Sequence, residues 1–587
     1  MILETNNGYL QYYNIKKQLP LKQLLHILIF FLISIFSYAQ SFHLKINGTS
    51  KIENQIIDSL NYSTKHSNIK SLFDELKITS EKLSKKGYLD NKILETNKIN
   101  DSTFTSIIEL KKPIKKIHIY IGINNVFFES EKTKKDSIIL PYNQVENYLN
   151  EKTRNAENAG YALTKIKLEN IRRKNLIIYA DLNFKSEKKR NLNSIILNYT
   201  DSNTKNIFPK RHLKQLNKKY INKIFNQETV KELYNEINNF EFISQTKYPE
   251  ILFTKDSTKI YTYIQKRKAN TFDGYIGFSN DENKKLILNG YLDITLQNTL
   301  HAGEQFSLYW KSDGNQQKTF NTKLEIPYIF NCPLGIKAQL NIFKQDSTFQ
   351  NTKTAIDLGY FLNYNSRIYL GYQSTESSDI QNTNSLTISD YKNSYLTTSF
   401  EYKKTDNTEI LFPKKASLNI IVGYGKRNTN NNPETAESSK QFYTTLNLSY
   451  NFELNNKNFI NINSQNFYLN SKNYISNELF RFGGMNSIRG FLENSLQANF
   501  SALILTEYRY IVSKNLYINS IVDYGLYQDL TSNSNQNEIK KLTGIGFGTG
   551  IQTTNGLLKI TLTNGGEKIN ELQLYNTIIN ICYNVKF

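Results

Sequence analysis

The chain has 587 residues and a net charge of +21, with 40 Tyr and 34 Phe against one Trp and two Cys. That length exceeds one ordinary domain, and two cysteines exclude a disulfide framework, so Cys332 and Cys582 are expected as unpaired thiols. The Lys residues are mixed with Asn and Glu along the chain, and no basic segment interleaves with aromatics as a nucleic-acid groove requires, so nucleic acid is not an expected partner.

Residues 1–39 read as a cleaved signal peptide. Lys16, Lys17 and Lys22 form a positive region, Leu24–Phe36 is apolar but for His26 and Ser34, and Ser37-Tyr38-Ala39 offers a cleavage site before Gln40. The apolar run falls well short of the roughly 20 residues that cross a bilayer.

From Gln40 to Lys268 short strands mix with amphipathic helices. Phe42–Ile46 reads as a strand, and Asn68–Lys86 as a helix capped by Asn68, with Ile69, Leu72, Leu76, Ile78 and Leu83 on its apolar face. Strands are expected around Leu89–Thr96 and Phe104–Leu110. Lys86-Gly87-Tyr88-Leu89 is echoed by Ala159-Gly160-Tyr161-Ala162, 73 residues on. A third unit has a helix through Val230–Ile237 and a strand over Lys259–Gln265. One supersecondary unit repeated at this period implies an array of small similar domains, read as 40–115, 116–187 and 188–268 in a β-α-α-β-β order.

From Ala269 helical spacing gives way to period-two runs between Asn, Gly, Asp and Ser: Gly274–Phe278, Leu286–Leu296, Phe306–Lys311, Ala355–Leu362, Arg367–Tyr372 and Leu418–Tyr424. In the last run Ile579, Ile581, Tyr583, Val585 and Phe587 share one face, and Asn580, Cys582, Asn584 and Lys586 the other. Alternation of this kind suits strands with a lipid-facing outside and a wet lumen, which keeps mean hydropathy at −0.52. A soluble β-sandwich would also alternate, so the alternation does not decide alone. Residues 269–587 are long enough for about sixteen strands of roughly ten residues with their connections.

One segment is more specific. Phe480-Arg481-Phe482-Gly483-Gly484-Met485-Asn486-Ser487-Ile488-Arg489-Gly490-Phe491 resembles the loop signature of the BamA/TamA superfamily of outer-membrane assembly proteins and transporters. Thr506-Glu507-Tyr508-Arg509, Val522-Asp523-Tyr524-Gly525, Gly544–Gly548 and Asn555–Lys559 follow in the family's order. Asp406–Pro413 resembles an earlier Asp…Pro segment, with Ala416 where many members carry Gly. The N-terminal repeats resemble POTRA domains more weakly. The resemblance implies an α+β arm of periplasmic POTRA repeats followed by an all-β transmembrane barrel of sixteen antiparallel strands in the outer membrane. It also implies that the loop folds into the lumen, where Arg489 meets Asp523 and Glu507. Phe482, Gly483, Gly484, Ser487, Ile488, Gly490 and Phe491 complete the loop motif, and Tyr583, Val585 and Phe587 the C-terminal strand signal. The layout is nearest the TamA type.

The functional readings follow from that resemblance. An assembly factor would take unfolded outer-membrane or surface protein clients by strand addition to POTRA edges and pass them to a seam between first and last strands, with outer-membrane lipid and a periplasmic or inner-membrane protein as further partners. A two-partner secretion transporter shares the barrel and the loop, but usually has two POTRA domains and a plug helix. A plain porin explains neither the arm nor the Arg489 loop. No cofactor, metal or enzymatic activity is expected. His26, His43, His66, His118, His212 and His301 are scattered without ligand spacing, and Gly544–Gly550 runs on as strand where a dinucleotide site needs a helix.

Overall fold

The computed structural model describes residues 41–587 except 123–135, 201–206, 281–285, 313–316, 382–387, 407–408, 410, 430–437, 533–537 and 569–575. The signal segment 1–39 lies outside the described residues. The chain divides into two compact units. One contains the chain up to Glu157 with Leu163–Lys188, and the other Asn158–Ala162 with Lys189–Phe587.

The first unit contains two four-stranded sheets. In one, Phe42–Gly48 pairs in parallel with Thr103–Glu109, with Lys65–His66 and Lys92–Lys98 at the edges. Helices α1 (Lys51–Asp58) and α2 (Ile69–Lys85) accompany this sheet. The Asn68 side chain accepts from Ser71 N at 2.8 Å and so caps α2. Leu72, Leu76 and Leu83 are buried against Leu44, Ile46, Phe104 and Ile108, each contributing roughly 1.5–3 kcal/mol by leaving water. Ile69 and Ile78, expected on the apolar face, are exposed, and Thr79 is buried instead. The α1 helix has too few apolar residues for its periodicity to show. Its signal is Ser50-Lys51-Ile52-Glu53, in which Ser50 Oγ accepts from Glu53 N at 3.3 Å and Glu53 accepts from Thr49 N at 2.7 Å. The second sheet repeats the plan. Lys116–Tyr120 pairs in parallel with Ile177–Lys185, Ser137–Pro141 and Lys165–Lys174 form its edges, and α3 (Val145–Asn158) accompanies it. Gly87 and Gly160 both close their helices in the left-handed region, at φ of 102° and 100°.

The second unit opens with a third sheet of the same kind. Ser194–Tyr199 pairs in parallel with Thr258–Lys266, and Ile243–Phe253 lies outside. Helices α4 (Lys210–Tyr220) and α5 (Gln227–Asn238) close its core, which includes Leu192, Phe208, Leu233 and Ile260.

The remainder is a closed barrel of sixteen antiparallel strands, from Thr271–Asn280 to Ile578–Lys586. In Phe349–Asn363 the alternation is plain. Ile356, Leu358, Tyr360 and Leu362 are exposed on the outside, whereas Asp357 and Phe361 are buried within. Inside, Lys337 lies 3.1 Å from Glu401 and 3.5 Å from Asp357, and Arg367 pairs with Glu325. This apolar outside and paired polar inside is the arrangement a bilayer selects for strands. Among the described residues no helix is long and apolar enough to cross a membrane. Cys332 and Cys582 are free thiols.

Closure is uneven. The first strand pairs along its length with Leu286–Gln297. Across the seam, backbone pairing among the described residues is confined to Thr271 with Lys586 and Phe272 with Val585, extended by Phe587 N donating to Asn270 O at 3.1 Å and, through side chains, by Cys582 Sγ donating to Asp273 Oδ2 at 2.6 Å.

The third sheet's domain is joined to the barrel through His212, which is fully buried on α4. Its ring meets those of Tyr328 at 4.7 Å, Phe240 at 5.4 Å and Tyr364 at 6.0 Å. A Cβ on Gly303 would overlap it. Glu241 pairs with Lys403 and accepts from Gln297. Burial opposes its ionisation, but Lys403 and Gln297 outweigh burial and hold the carboxyl below its usual range. Burial pushes the His212 pKa down to about 3, assisted by the Arg367 and Arg211 charges. The unfolded chain takes up that proton near pH 6.5 and the docked form only near 3. The joint is therefore fully stable above pH 6.5 and weakens as pH falls, by about 2 kcal/mol at pH 5. Hydrogen exchange of α4 against pH measures this, and a His212→Phe chain with an unchanged slope would show that another group is responsible.

Candidate functional site

The site is built by the segment between strands Asn458–Asn470 and Phe500–Ser513. A short hairpin, Phe480–Phe482 with Leu496–Ala498, carries its tip. The tip turns through Gly483, Gly484 and Gly490, all at positive φ. Ser487 N donates to Gly484 O at 3.1 Å, and Gly484 N to Ile488 O at 3.2 Å. Phe482 and Ile488 are buried with Leu503, Leu505, Tyr527 and Leu542 of the barrel wall, and Phe491 packs at the edge of that cluster. These apolar contacts hold the loop against the wall beside the charged cluster.

Arg489 then faces two carboxylates on adjacent strands. Its Nε and Nη2 donate to Asp523 Oδ2 and Oδ1 at 2.7 and 2.5 Å, and its backbone N donates to Oδ2 at 3.0 Å. Nη1 pairs with Glu507, and Nη2 reaches Thr506 O at 3.4 Å. Arg509 approaches Glu507 from the other side at 2.7 Å and lies 4.8 Å above the Phe412 ring. Arg489 is 6% exposed and Asp523 fully buried. A planar guanidinium suits this place because its fixed fork takes one carboxylate bidentately while a third nitrogen reaches the next. Close approach requires two glycines here. A Cβ on Gly490 would overlap the backbone of Asn564 and Gly565, and one on Gly544 the Arg489 carbonyl. The glycine-rich strand Lys540–Gln552 is thus the floor under the loop tip.

The C-terminal residues do not join this cluster. Tyr583 faces outward with its hydroxyl 2.9 Å from Thr553 Oγ1, Val585 pairs across the seam with Phe272, and Phe587 is exposed. Asp406 and Pro413 close on each other at 2.6 Å, with Leu411 and Phe412 buried against Phe459 and Tyr517.

The sequence reading missed further anchors of the same loop. Glu478 forms an ion pair with Arg427, with side chains 3% and 4% exposed, and accepts from Gln441 Nε2 at 2.7 Å. Beside it, Asn477 Nδ2 donates to Ser377 Oγ at 2.8 Å and Ser389 O at 2.7 Å, and its carbonyl accepts from Asn351 at 2.6 Å. Near the tip, Glu493 pairs with Lys311 at 2.5 Å. Of their strands, Ser438–Asn455 and Lys414–Thr429 lie beside the loop's own root strand Asn458–Asn470, whereas Ser366–Asp379, Phe349–Asn363 and Gln305–Ser312 lie across the barrel from the strand of Asp523. The loop therefore crosses the lumen and is fixed at both sides. The only local hint was Glu478, two residues before Phe480, and no spacing points it at Arg427.

A family model of the haemolysin secretion/activation proteins ShlB/FhaC/HecB matches residues 343–551. No curated protein matches the sequence. Among solved structures, CdiB from Acinetobacter baumannii is 13% identical with a TM-score of 0.50, over 81% of this chain and 90% of that one. CdiB from Escherichia coli is 12% identical with a TM-score of 0.47, over 88% and 97%. BamA from Haemophilus ducreyi lacking POTRA domains 1–3 is 15% identical with a TM-score of 0.44, over 80% and 99%. With its closed sixteen-strand barrel preceded by POTRA-like α/β sheets, the chain is an outer-membrane β-barrel protein that shares the fold of the CdiB structure at TM-score 0.50 and is similar, over the barrel strands and the Arg489 loop, to the haemolysin secretion/activation proteins.

Proposed function

We propose that the chain receives unfolded outer-membrane or surface protein clients in the periplasm and passes them to the outer membrane at its seam. The confined pairing of the first and last strands supports this reading most directly. Unpaired backbone groups at a strand edge are costly in hydrocarbon and form a template for another strand. A client strand would take up that edge with its own hydrogen bonds, so its folding supplies the driving force in a compartment without nucleotide. The edge strands Lys92–Lys98, Lys165–Lys174 and Ile243–Phe253 offer earlier stations for strand addition. On this reading the domains are three POTRA repeats over 40–115, 116–187 and 188–268, followed by the barrel. Arg489, Asp523 and Glu507 keep the loop seated while the seam works.

The match to secretion/activation proteins favours a second reading, export of one dedicated protein through the lumen. That route requires the loop to leave both of its anchorages, whereas the seam route leaves the loop in place. Thr271→Cys with Lys586→Cys, in a chain carrying Cys332→Ser and Cys582→Ser, tests the difference. Oxidation is expected to abolish activity and a reductant to restore it; full activity of the oxidised form would support lumenal export. Depleting the protein in its host and quantifying outer-membrane and secreted proteins gives an independent test. Loss of several unrelated barrel or surface proteins fits assembly, and loss of one large secreted protein fits a dedicated transporter.

A further inference from the structure

The positive charge of this protein is concentrated in one part of the chain. Residues 41–268 hold 42 Lys and Arg against 25 Asp and Glu, whereas residues 269–587 hold 28 against 26. Basic residues occur in both parts, but the excess over acidic ones lies in the first, and one basic stretch that contains no acidic residue lies beside the barrel. Helix α4 carries Lys210, Arg211, Lys214, Lys218 and Lys219 with no acidic residue. Its buried face is His212, Leu216 and Tyr220. Lys210, Lys214 and Lys218, four residues apart in turn, therefore make one exposed line, with Arg211 beside it. Glu236 pairs with Lys219, but Lys210, Arg211 and Lys214 have no ion pair among the described residues.

The barrel determines where that line lies. Just ahead of α4, Ile207 O accepts from Asn298 Nδ2 at 2.8 Å, in the turn after strand Leu286–Gln297. Farther along, Gln215 and Lys218 donate to Asn331 O at 2.8 and 3.1 Å, in the next turn on the same rim. These turns are separated by the two strands Gln305–Ser312 and Gln317–Ile329, roughly 10 Å of sheet. The helix is about 16 Å long, so with a turn bonded near each end it runs along the rim rather than away from it. A rim where membrane strands end lies at the level of the lipid headgroups.

The same two turns carry an apolar signal. Phe330 and Leu300, at their tips, are 83% and 78% exposed, the highest values for large apolar side chains among the described residues. A basic helix flanked by two protruding apolar side chains, all in the plane of a membrane surface, combines the two features of an interfacial lipid contact.

We infer that α4, with Phe330 and Leu300, is a binding site for anionic phospholipid of the periplasm-facing leaflet. Lys210, Lys214 and Lys218 take the headgroup phosphates, and the two turn-tip side chains enter the acyl boundary. An acidic polypeptide would satisfy the lysines but gives no reason for apolar tips at the rim. The contact would hold the third domain at the membrane beside the barrel opening. It rests on the outer-membrane location and not on either reading of the transport route.

The test uses the full chain in detergent micelles, with short-chain phosphatidylglycerol or phosphatidylcholine added and bound lipid counted by native mass spectrometry. The wild type is expected to retain phosphatidylglycerol in preference to phosphatidylcholine. The Lys210→Gln/Lys214→Gln/Lys218→Gln chain should lose about a hundredfold in apparent affinity, each cation near an anionic surface contributing about fivefold. Phe330→Ser should weaken retention of both lipids. Migration of unheated samples on a gel checks that each barrel is closed. Equal phosphatidylglycerol retention by wild type and triple variant, or no preference in the wild type, overturns the site. Binding of inorganic phosphate or polyglutamate to these lysines without phosphatidylglycerol retention would name a soluble anion as the occupant and overturn it as well.

Discussion

Replacing Arg489 with alanine is expected to destabilise the closed barrel by about 3–5 kcal/mol and to suppress transport, while the chain still inserts. The magnitude follows from what remains behind. Asp523 is fully buried and takes three hydrogen bonds from Arg489, and a buried charge stripped of its partner costs that much. Glu507 suffers less because Arg509 still pairs with it. Two companion variants separate charge from shape. Arg489→Ala with Asp523→Ala should recover part of the loss, since no uncompensated carboxylate remains. Arg489→Lys should stay impaired, because an ammonium cannot make the bidentate fork and reach Glu507 as well. Urea titration followed by heat-modifiable gel migration measures the stability, and wild-type midpoints for Arg489→Ala would remove this residue from the loop's anchorage.

Glu478→Ala is expected to cost a similar amount, about 3–5 kcal/mol, although it lies outside the loop signature. Arg427 would be left buried with its cation unpaired, and Gln441 would lose an acceptor. The two anchorages hold one segment from different walls of the barrel, so their effects should not add. Once one end is free, releasing the other costs less. A double-mutant cycle with Arg489→Ala should show a coupling of at least about 0.5 kcal/mol. Strict additivity would mean that each anchorage stabilises only its own patch of wall. Transport assays carry the functional counterpart. If the loop must stay seated, both single variants lose activity together; if Glu478→Ala alone raises export through the lumen, the loop acts as a plug.

Much of this fold was legible because membrane and water impose local rules on every residue. A lipid-facing strand must alternate, so period two separated the face of Ile579, Ile581 and Tyr583 from that of Asn580 and Cys582, although alternation does not say which face meets lipid. The Asn68 cap and the glycines at 87 and 160 were legible because capping and left-handed turns depend on a few neighbouring residues. The apolar face of α2 was read only partly. Ile69 and Ile78 have the right residue type, but the sheet does not reach them. The Arg489 loop was found through a resemblance that supplied both the loop and its wall partners.

What the sequence by itself determined is therefore local: which segments alternate, where helices are capped, and where the backbone turns through glycine. Only the tertiary structure decided which walls meet across the lumen, that Glu478 pairs with Arg427, that His212 sits among Phe240, Tyr328 and Tyr364, and that α4 lies along the rim. The physical reason is range. Alternation and capping are enforced by neighbours within a few residues, whereas a cross-lumen pair is chosen by the barrel's closure and register, which no short window of sequence contains.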